Sequence, residues 1–464
     1  MFIIIVYAGY SVFRRFRRVS ACKIWLLITS LFFYAWGSLS YLPLLVATAL
    51  FNYAASLLLS RHVARSFIRK LVLAVAICEN IGFLLYFKYA DFFLENINRA
   101  FGTQFLLQSP ILPLGISFFT FQLIIYISGI YKGKAKTGSL LDFGVFVTFF
   151  PKLIIGPLMQ YEDIQPSLQD GSLVRFDPDN IIKGLVYFSI GCAKKVLIAQ
   201  PLIYFAQGFY DTVFTDGHFF GAWFGVLAYT LAYYFDFSGY IDMAMGLARL
   251  FNIKLPENFD SPYKAKNFAD YWRRWNITIT RFFNDFIFKN IYKFGNRLGK
   301  LVFATMVTFL VSGIWHGAGW NFIFWGLLNG VFVSITNIMT LRRKKLPAFP
   351  AWLITFLMVL LTRVLFDSGS ISKSMHIYRT MFDIRPLFVD AASFLSTGFE
   401  FVKDNIWVLA LVLLSSLICF FGKNSDEIVK GYKSKWYHAA LCGSFLCVSL
   451  FFMGGVSDFF YFQF

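Results

Sequence analysis

The sequence predicts an all-α polytopic membrane protein, and three observations carry that expectation. Of 464 residues, 58% are hydrophobic and 15% are charged, against about 25% charged in an average soluble protein. The mean hydropathy of +0.62, with 60 phenylalanines and 11 tryptophans, gives more apolar surface than a water-facing shell could hide. The apolar residues also gather in runs near the roughly 20 residues that cross a bilayer as a helix. The expected architecture is about 11 to 12 transmembrane helices with further re-entrant or interfacial helices. Residues 1–464 are expected to form a single integral-membrane domain. Disorder, a collagen-like fibre and a disulfide scaffold are excluded by the same composition.

The first run, MFIIIVYAGYSVF, precedes Arg14, Arg15, Arg17 and Arg18. A cleaved signal peptide has its charges before its apolar stretch, so this segment is expected to be an anchor with its arginines on the cytoplasmic side. Later runs centre on residues 24–37, 41–60, 71–88, 111–131, 143–160, 181–206, 219–250, 301–315, 320–340, 350–366, 405–421 and 437–454. Several are short, or long and interrupted by glycine, and broken backbone is tolerated at membrane depth only where protein buries it.

Basic loops at 61–70, 132–136, 342–345 and 423–435 should all be cytoplasmic, with an even number of crossings between them. Pairing 24–37 with 41–60, 71–88 with 111–131 and 350–366 with 405–421 satisfies this and places the C-terminus outside. These loops also account for the net charge of +18, so no nucleic-acid partner is expected, whereas anionic membrane lipid is. Cys22, Cys78, Cys192, Cys419, Cys442 and Cys447 stand singly, without metal-ligand spacing, and read as packing residues; no metal site is expected.

The pattern changes over 263–300. Lys264, Lys266, Arg273, Arg274, Arg281, Lys289, Lys293, Arg297 and Lys300 face only Asp270 and Asp285, and Tyr271, Trp272, Trp275, Phe282, Phe283, Phe286 and Phe288 are interleaved with them. The spacing predicts a basic amphipathic helix at the cytoplasmic interface, rings among the head groups and charges reaching to water; a simple peripheral helix has the same composition.

Of the five histidines, His62 and His438 sit in basic juxtamembrane loops, and His218 and His376 in polar loops. His316 stands apart, in the apolar VSGIWHGAGWNFIFWG. An ionisable side chain at membrane depth is costly and by default faces a cavity or pathway. The preceding run, 301–315, would rise only about 22 Å as a helix, which puts His316 inside the membrane. Gly313, Gly317 and Gly319 permit close approach, and Trp315 and Trp320 are candidates to wall a tunnel. Burial favours the neutral imidazole that a general base needs; a hydrogen-bonded structural histidine is the alternative. Glu79, Lys152, Lys194, Lys195, Asp236 and Asp242 are the other intramembrane charges, as a transporter relay or as snorkelling and bracing groups. No nucleophile elbow, P-loop or dinucleotide fingerprint is present.

Several long segments together resemble the membrane-bound O-acyltransferases, and within them the bacterial alginate O-acetyltransferase-like branch, with teichoic-acid D-alanylation proteins nearby. They are LFFYAWGSLSYL at 31–42, LPLGISFFTFQLIIYISGIYKG at 112–133, FFPKLIIGPLMQY at 149–161, YFDFSGYIDMAMGLARLFNIKLPENFDSPYKAKNFADYWRRWNITIT at 234–280, SGIWHGAGWNFIFWGLLNG at 312–330 and FFYFQF at 459–464. The resemblance implies helices around a central tunnel, with catalytic residues His316 in the WHG motif and Asn276 in WRRWN, a position that is Asn or His among members. Arg273, Arg274 and Trp275 belong to the same motif and are expected to shape the cytoplasmic entrance, beside Trp315 and Trp320. Some members carry a histidine where this chain has Asn329.

The implied reaction moves an acetyl group from a cytoplasmic thioester, acetyl-CoA, across the cytoplasmic membrane for O-acetylation of an extracytoplasmic polysaccharide or peptidoglycan. An exported or membrane-anchored acetyltransferase is the implied partner, and no cofactor is bound. On this reading His316 is the general base, Asn276 polarises the acyl carbonyl, and the basic belt attracts the donor's phosphates. D-alanyl transfer is the alternative within the same chemistry. A transporter or flippase, for which no inverted repeat is visible, and an inactive scaffold are the alternatives outside it.

Overall fold

A computed structural model describes residues 1–61, 67–106, 111–293, 298–344, 346–432 and 435–453. His62 and the rest of 62–66, Arg297, Lys345, residues 433–434 and the FFYFQF motif lie outside the described residues. Among the described residues every regular element is a helix, apart from one isolated antiparallel bridge between Phe259 and Trp275. The chain divides into two compact units, residues 1–188 with 243–256 and residues 189–242 with 257–464.

The first unit holds α1 (Phe2–Arg15), α2 (Val19–Ser38), α3 (Leu42–Arg61), α4 (Phe67–Leu84), α5 (Ala90–Phe101), α6 (Ile116–Tyr131), α7 (Leu140–Thr148), α8 (Phe150–Leu153), α9 (Tyr161–Gln169) and the start of α10 (Pro178–Ala193). Buried polar pairs set which helices meet. Lys23 on α2 bonds Asp142 on α7 at 2.5 Å. Asn52 on α3 donates to Glu79 on α4 at 3.2 Å and accepts from Asn80 at 3.0 Å.

The run at 143–160 does not form the expected span. α7 stops at Thr148, α8 is only four residues long, and 154–160 is non-helical. Pro151 and Pro157 each remove a backbone donor that a continuous helix would need. The exposed polar backbone is buried by protein instead: Gln122 of α6 donates to the Met159 carbonyl at 2.6 Å and accepts from the Met159 N–H at 3.0 Å. Gln122 also accepts from Lys152 at 3.1 Å, so this buried cation is held by an amide and by the face of Phe146.

The second unit continues α10 through a π-helical turn, Lys194–Ala199, into α11 (Gln200–Asp216), followed by α12 (Phe219–Leu250), whose last turns belong to the first unit. α12 runs unbroken for 32 residues through its glycines, so those glycines are packing positions rather than interruptions. Then come α13 (Phe268–Arg274), α14 (Ile277–Phe283), α15 (Lys289–Tyr292), α16 (Leu298–His316), α17 (Trp320–Leu341), α18 (Ala348–Asp367), α19 (Ile371–Phe382), α20 (Arg385–Val389), α21 (Ala391–Asp404), α22 (Ile406–Phe421), α23 (Ser425–Lys430) and α24 (Trp436–Phe452). The last short turn before α24 is fixed by reciprocal bonds between Asn424 and Glu427 at 2.8 and 2.9 Å.

By length and apolar composition, five described stretches can cross a membrane: 19–61, 67–101, α16, α17 and α18; α21 with α22, bent by 82°, makes a sixth. This is fewer than the expected number, for identifiable reasons. The 43 residues of 19–61 would rise about 65 Å and are two helices, α2 and α3. α6 and α24 are short, at 16 and 17 residues. α10, α11 and α12 carry charges that lower their hydropathy. Outward-facing side chains such as Trp407 and Phe421 on α22 are 85% and 79% exposed, a surface that water would not tolerate over whole helices. The protein is a multi-pass, all-α membrane protein.

The charges expected as a relay are each satisfied locally. Lys194 bonds Asp242 at 2.7 Å and Ser425 at 2.8 Å, and Lys195 bonds Asp236 at 2.5 Å. Such pairs offset the cost of burial and brace neighbouring helices.

Candidate active site

α16 and α17 form an antiparallel hairpin closed by residues 317–319. Its open end carries Lys293, Lys300, Arg342, Arg343 and Lys344, and His316 ends α16 at the closed end. The two helices approach through glycine. A Cβ on Gly326 would lie 2.4 Å from the Phe309 carbonyl oxygen, and one on Gly313 would lie 2.4 Å from that of Phe322. α16 has 19 residues and rises about 28 Å, more than its apolar run alone implies. The shielding of His316 therefore comes from its neighbours: its ring packs against Trp315, Trp325 and Phe366 at centroid distances of 4.6, 4.9 and 5.1 Å.

The basic segment between 263 and 300 is not a continuous amphipathic helix. α13 ends at Arg274, Trp275 is extended, and Asn276 takes φ 43° and ψ 56° before α14 starts. That left-handed conformation is costly for most side chains and is most often taken by Gly, Asn or Asp. Asn258 fixes the break. Its carbonyl accepts from Ile277 N at 3.0 Å, and its Oδ1 accepts from Thr278 N at 3.0 Å and Thr278 Oγ1 at 2.9 Å. Asn258 Nδ2 donates to Asn276 Oδ1 at 3.1 Å. The donors that open α14 are thus capped from outside the helix, and the Asn276 side chain is oriented with its oxygen taken and its N–H groups left to donate. Five rings of this segment, Phe268, Tyr271, Trp275, Phe282 and Phe283, are buried inside the protein, whereas Trp272, Phe286 and Phe288 are part-exposed. Trp275 stacks on Tyr233 and Tyr271 at 5.9 and 5.7 Å.

Between these elements lies a cavity of about 380 Å³. One face of α16 forms its wall, through Leu301, Thr305, Thr308, Ser312 and His316. Leu301 to His316 spans about 22 Å along the helix, so the cavity extends along α16 from the basic end of the hairpin to the histidine and is the candidate for the expected tunnel. Asn276, Trp272, Trp275 and Arg273 line the same tunnel. The Thr305 and Thr308 hydroxyls donate to the carbonyls of Leu301 and Ala304 at 2.8 and 2.6 Å, which leaves their lone pairs toward an occupant. A second, smaller cavity of about 20 Å³ touches His316, Trp272 and Trp275 and is bounded by Tyr233, Trp325 and Arg363. The Arg363 guanidinium lies over Tyr233 at 4.1 Å and beside Asp367 at 3.7 Å.

The structure brings His316, Asn276, Trp275 and Arg273 to one cavity. Arg274 turns away from it, bonding Asp270 at 3.0 Å and Asp260 at 3.2 Å. Trp315 supports the His316 ring from outside the tunnel lining, and Trp320 is 47% exposed at the start of α17. The walls expected of these two tryptophans are made by Trp272 and Trp275, and Trp325 bounds the small cavity. Asn258 and the stripe Thr305, Thr308 and Ser312 are functional neighbours that sequence reading passed over. The stripe did carry a signal, since hydroxyls spaced by three and four residues share a helix face that ends on His316.

A model of the membrane-bound O-acyltransferase family matches residues 11–361. The chain belongs to this family. The acyltransferase is 35% identical to the peptidoglycan O-acetyltransferase of Helicobacter pylori, over 95% of this chain and 91% of that protein. It is 34% identical to the probable alginate O-acetylase of Pseudomonas aeruginosa, over 77% of this chain and 69% of that protein. It is 28% identical to the teichoic acid D-alanyltransferase of Bacillus subtilis, over 51% of this chain and 62% of that protein. The acyltransferase's tunnel and both motif residues fall within the matched segment.

Asn329 of the acyltransferase is wholly buried, accepts from Trp272 Nε1 at 3.2 Å and donates to the Trp325 carbonyl at 2.7 Å. It holds the Trp272 indole, which lines both cavities. Asn329→Leu keeps the number of side-chain heavy atoms but leaves the indole N–H without its acceptor, at about 1–3 kcal/mol. Acetyl transfer is expected to fall several-fold with a modest loss of thermal stability; parallel initial-rate and unfolding measurements check this.

Proposed function

We propose that the enzyme transfers an acetyl group from a cytoplasmic thioester, acetyl-CoA, to an acceptor hydroxyl, in O-acetylation of an extracytoplasmic polysaccharide or peptidoglycan at the cytoplasmic membrane. The observation that carries this reading is the cavity, which extends from the basic end of the α16–α17 hairpin to His316 and has Asn276 in the same lining. Basic loops are retained on the cytoplasmic side, so the basic end of the cavity faces the pool of thioester donors, and Arg273 in the lining, with Lys300 next to the lining Leu301, attracts the donor's phosphates. The similarity to O-acetylating relatives is higher and far more extensive than to D-alanylating ones, which supports acetyl as the group moved.

In the reaction His316 accepts the proton of the acceptor hydroxyl as its oxygen attacks the thioester carbonyl. The carbonyl oxygen gains negative charge and takes hydrogen bonds from the Asn276 amide. The C–S bond then breaks, and the thiolate leaves with the proton returned by His316. An exported or membrane-anchored acetyltransferase that works on the polymer is the proposed recipient on the outer side.

Membrane vesicles from cells that retain their envelope polymers test the reading. Inverted vesicles given labelled acetyl-CoA are expected to accumulate ester-linked label, and right-side-out vesicles are not. Incorporation from right-side-out vesicles, or from an alanyl but not an acetyl donor, would contradict it.

A further inference from the structure

A cavity of about 810 Å³ in the first unit lies between the end of α1 and the turn at 171–176, and four arginines line it: Arg14, Arg15, Arg17 and Arg175. Among the described residues none of the four is in an ion pair. The carboxylates nearest in sequence are engaged elsewhere: Asp170 accepts from Ser172 N at 2.8 Å, and Asp177 accepts from Asn180 N at 3.1 Å. The walls are fixed. Tyr10 of α1 is fully buried and donates to the Leu173 carbonyl, and it also reaches the Phe251 carbonyl at 3.4 Å. Arg14 is held over the Phe176 ring at 4.9 Å and donates to the Tyr7 hydroxyl at 3.4 Å.

Charge retention on the cytoplasmic side explains why arginines follow α1. It does not explain why Arg175, distant in the chain, is brought to the same cavity. The surroundings select the ligand. Phe16 and Phe176 are 68% and 62% exposed beside the guanidinium groups. Ile4, Ile5 and Val12 continue an exposed apolar strip along α1. Guanidinium groups pair in a bidentate manner with phosphate oxygens, and an apolar strip leading away from them suits acyl chains better than water.

We infer that this cavity binds the phosphate head group of an anionic phospholipid, whose acyl chains lie along the outer face of α1. The site is independent of the tunnel and of the reaction assigned to it.

The full chain, delipidated in detergent, is titrated with phosphatidylglycerol, phosphatidylcholine or inorganic phosphate, and bound species are counted by native mass spectrometry. Phosphatidylglycerol is expected to bind roughly tenfold or more tightly than phosphatidylcholine. R14Q/R17Q/R175Q, which keeps Arg15 and Arg18 to hold orientation, is expected to lose that preference, and K132Q/K134Q/K136Q to retain it. R14K/R17K/R175K keeps the charge but not the planar fork, and serves where the glutamine variant does not fold; it is expected to lose the preference in part. An unchanged preference in the arginine variants, an equal loss in the Lys132 set, or displacement of phosphatidylglycerol by equimolar inorganic phosphate would overturn the assignment.

Discussion

His316→Ala is expected to lower acetyl transfer by about 10²- to 10⁴-fold, the range for removing a general base, with the amount of folded protein in the membrane unchanged. Trp272, Trp275 and His316 line both cavities, and the imidazole is the ionisable group among these three. Its loss forfeits edge contacts with Trp315, Trp325 and Phe366, but the site already borders empty volume, so the stability cost is small beside the catalytic one. Rates of ester-linked acetate formation, measured with detergent-phase unfolding curves, separate the two. His316→Gln keeps most of the packing and is expected to be equally inactive. Activity within twofold of the parent for either variant is incompatible with the assigned role.

The second large effect is expected from the hairpin that carries this histidine. At Gly326 a side chain would meet backbone on the facing helix: the Phe309 carbonyl oxygen at 2.4 Å and the Gly313 Cα at 3.2 Å. Backbone cannot rotate aside, so Gly326→Val must part α16 from α17 and displace Ser312 and His316 from the tunnel wall. Overpacking of this kind costs about 1–3 kcal/mol, and a displacement of reacting groups by about 1 Å can cost 10²-fold in rate. Gly330→Ala is the control. The nearest atom there is the Met306 sulfur at 2.9 Å, the end of a flexible side chain, so it is expected to leave most activity intact. Comparable losses in the two variants would show that the close crossing does not position the site.

Much of this site was legible in the order of residues. A histidine in an apolar, glycine-rich segment is costly and by default faces a cavity, as His316 does, and the WHG and WRRWN motifs pick out His316 and Asn276, which share that cavity. What could not be read was how the basic segment folds. Its charges and rings have the periodicity of a surface helix, yet the left-handed Asn276 breaks it, and Tyr271, Trp275, Phe282 and Phe283 are buried. That outcome depends on Asn258, which lies 18 positions away from Asn276, and periodicity does not report a long-range cap. The number of stretches that pass on length and apolar composition alone is low for a related reason. Hydropathy registers Lys194, Lys195, Asp236 and Asp242 as polar, although each is neutralised by a partner that only the fold supplies. Conversely the 143–160 run reads as a span because its prolines are outnumbered by apolar residues, yet two prolines are enough to end a helix.

The central claim is that the thioester reaches His316 along α16, and blocking that route tests it most directly. Thr305 lines the tunnel about three turns before the histidine, whereas Phe303, on the same helix, is 60% exposed on the outer surface. With acetyl-CoA as donor, Thr305→Trp is expected to lower initial acetyl transfer roughly tenfold or more, because a ring in the tunnel removes the volume a donor needs, while Phe303→Trp leaves it unchanged. Parent-like transfer by Thr305→Trp, in protein shown to be folded, would contradict the account.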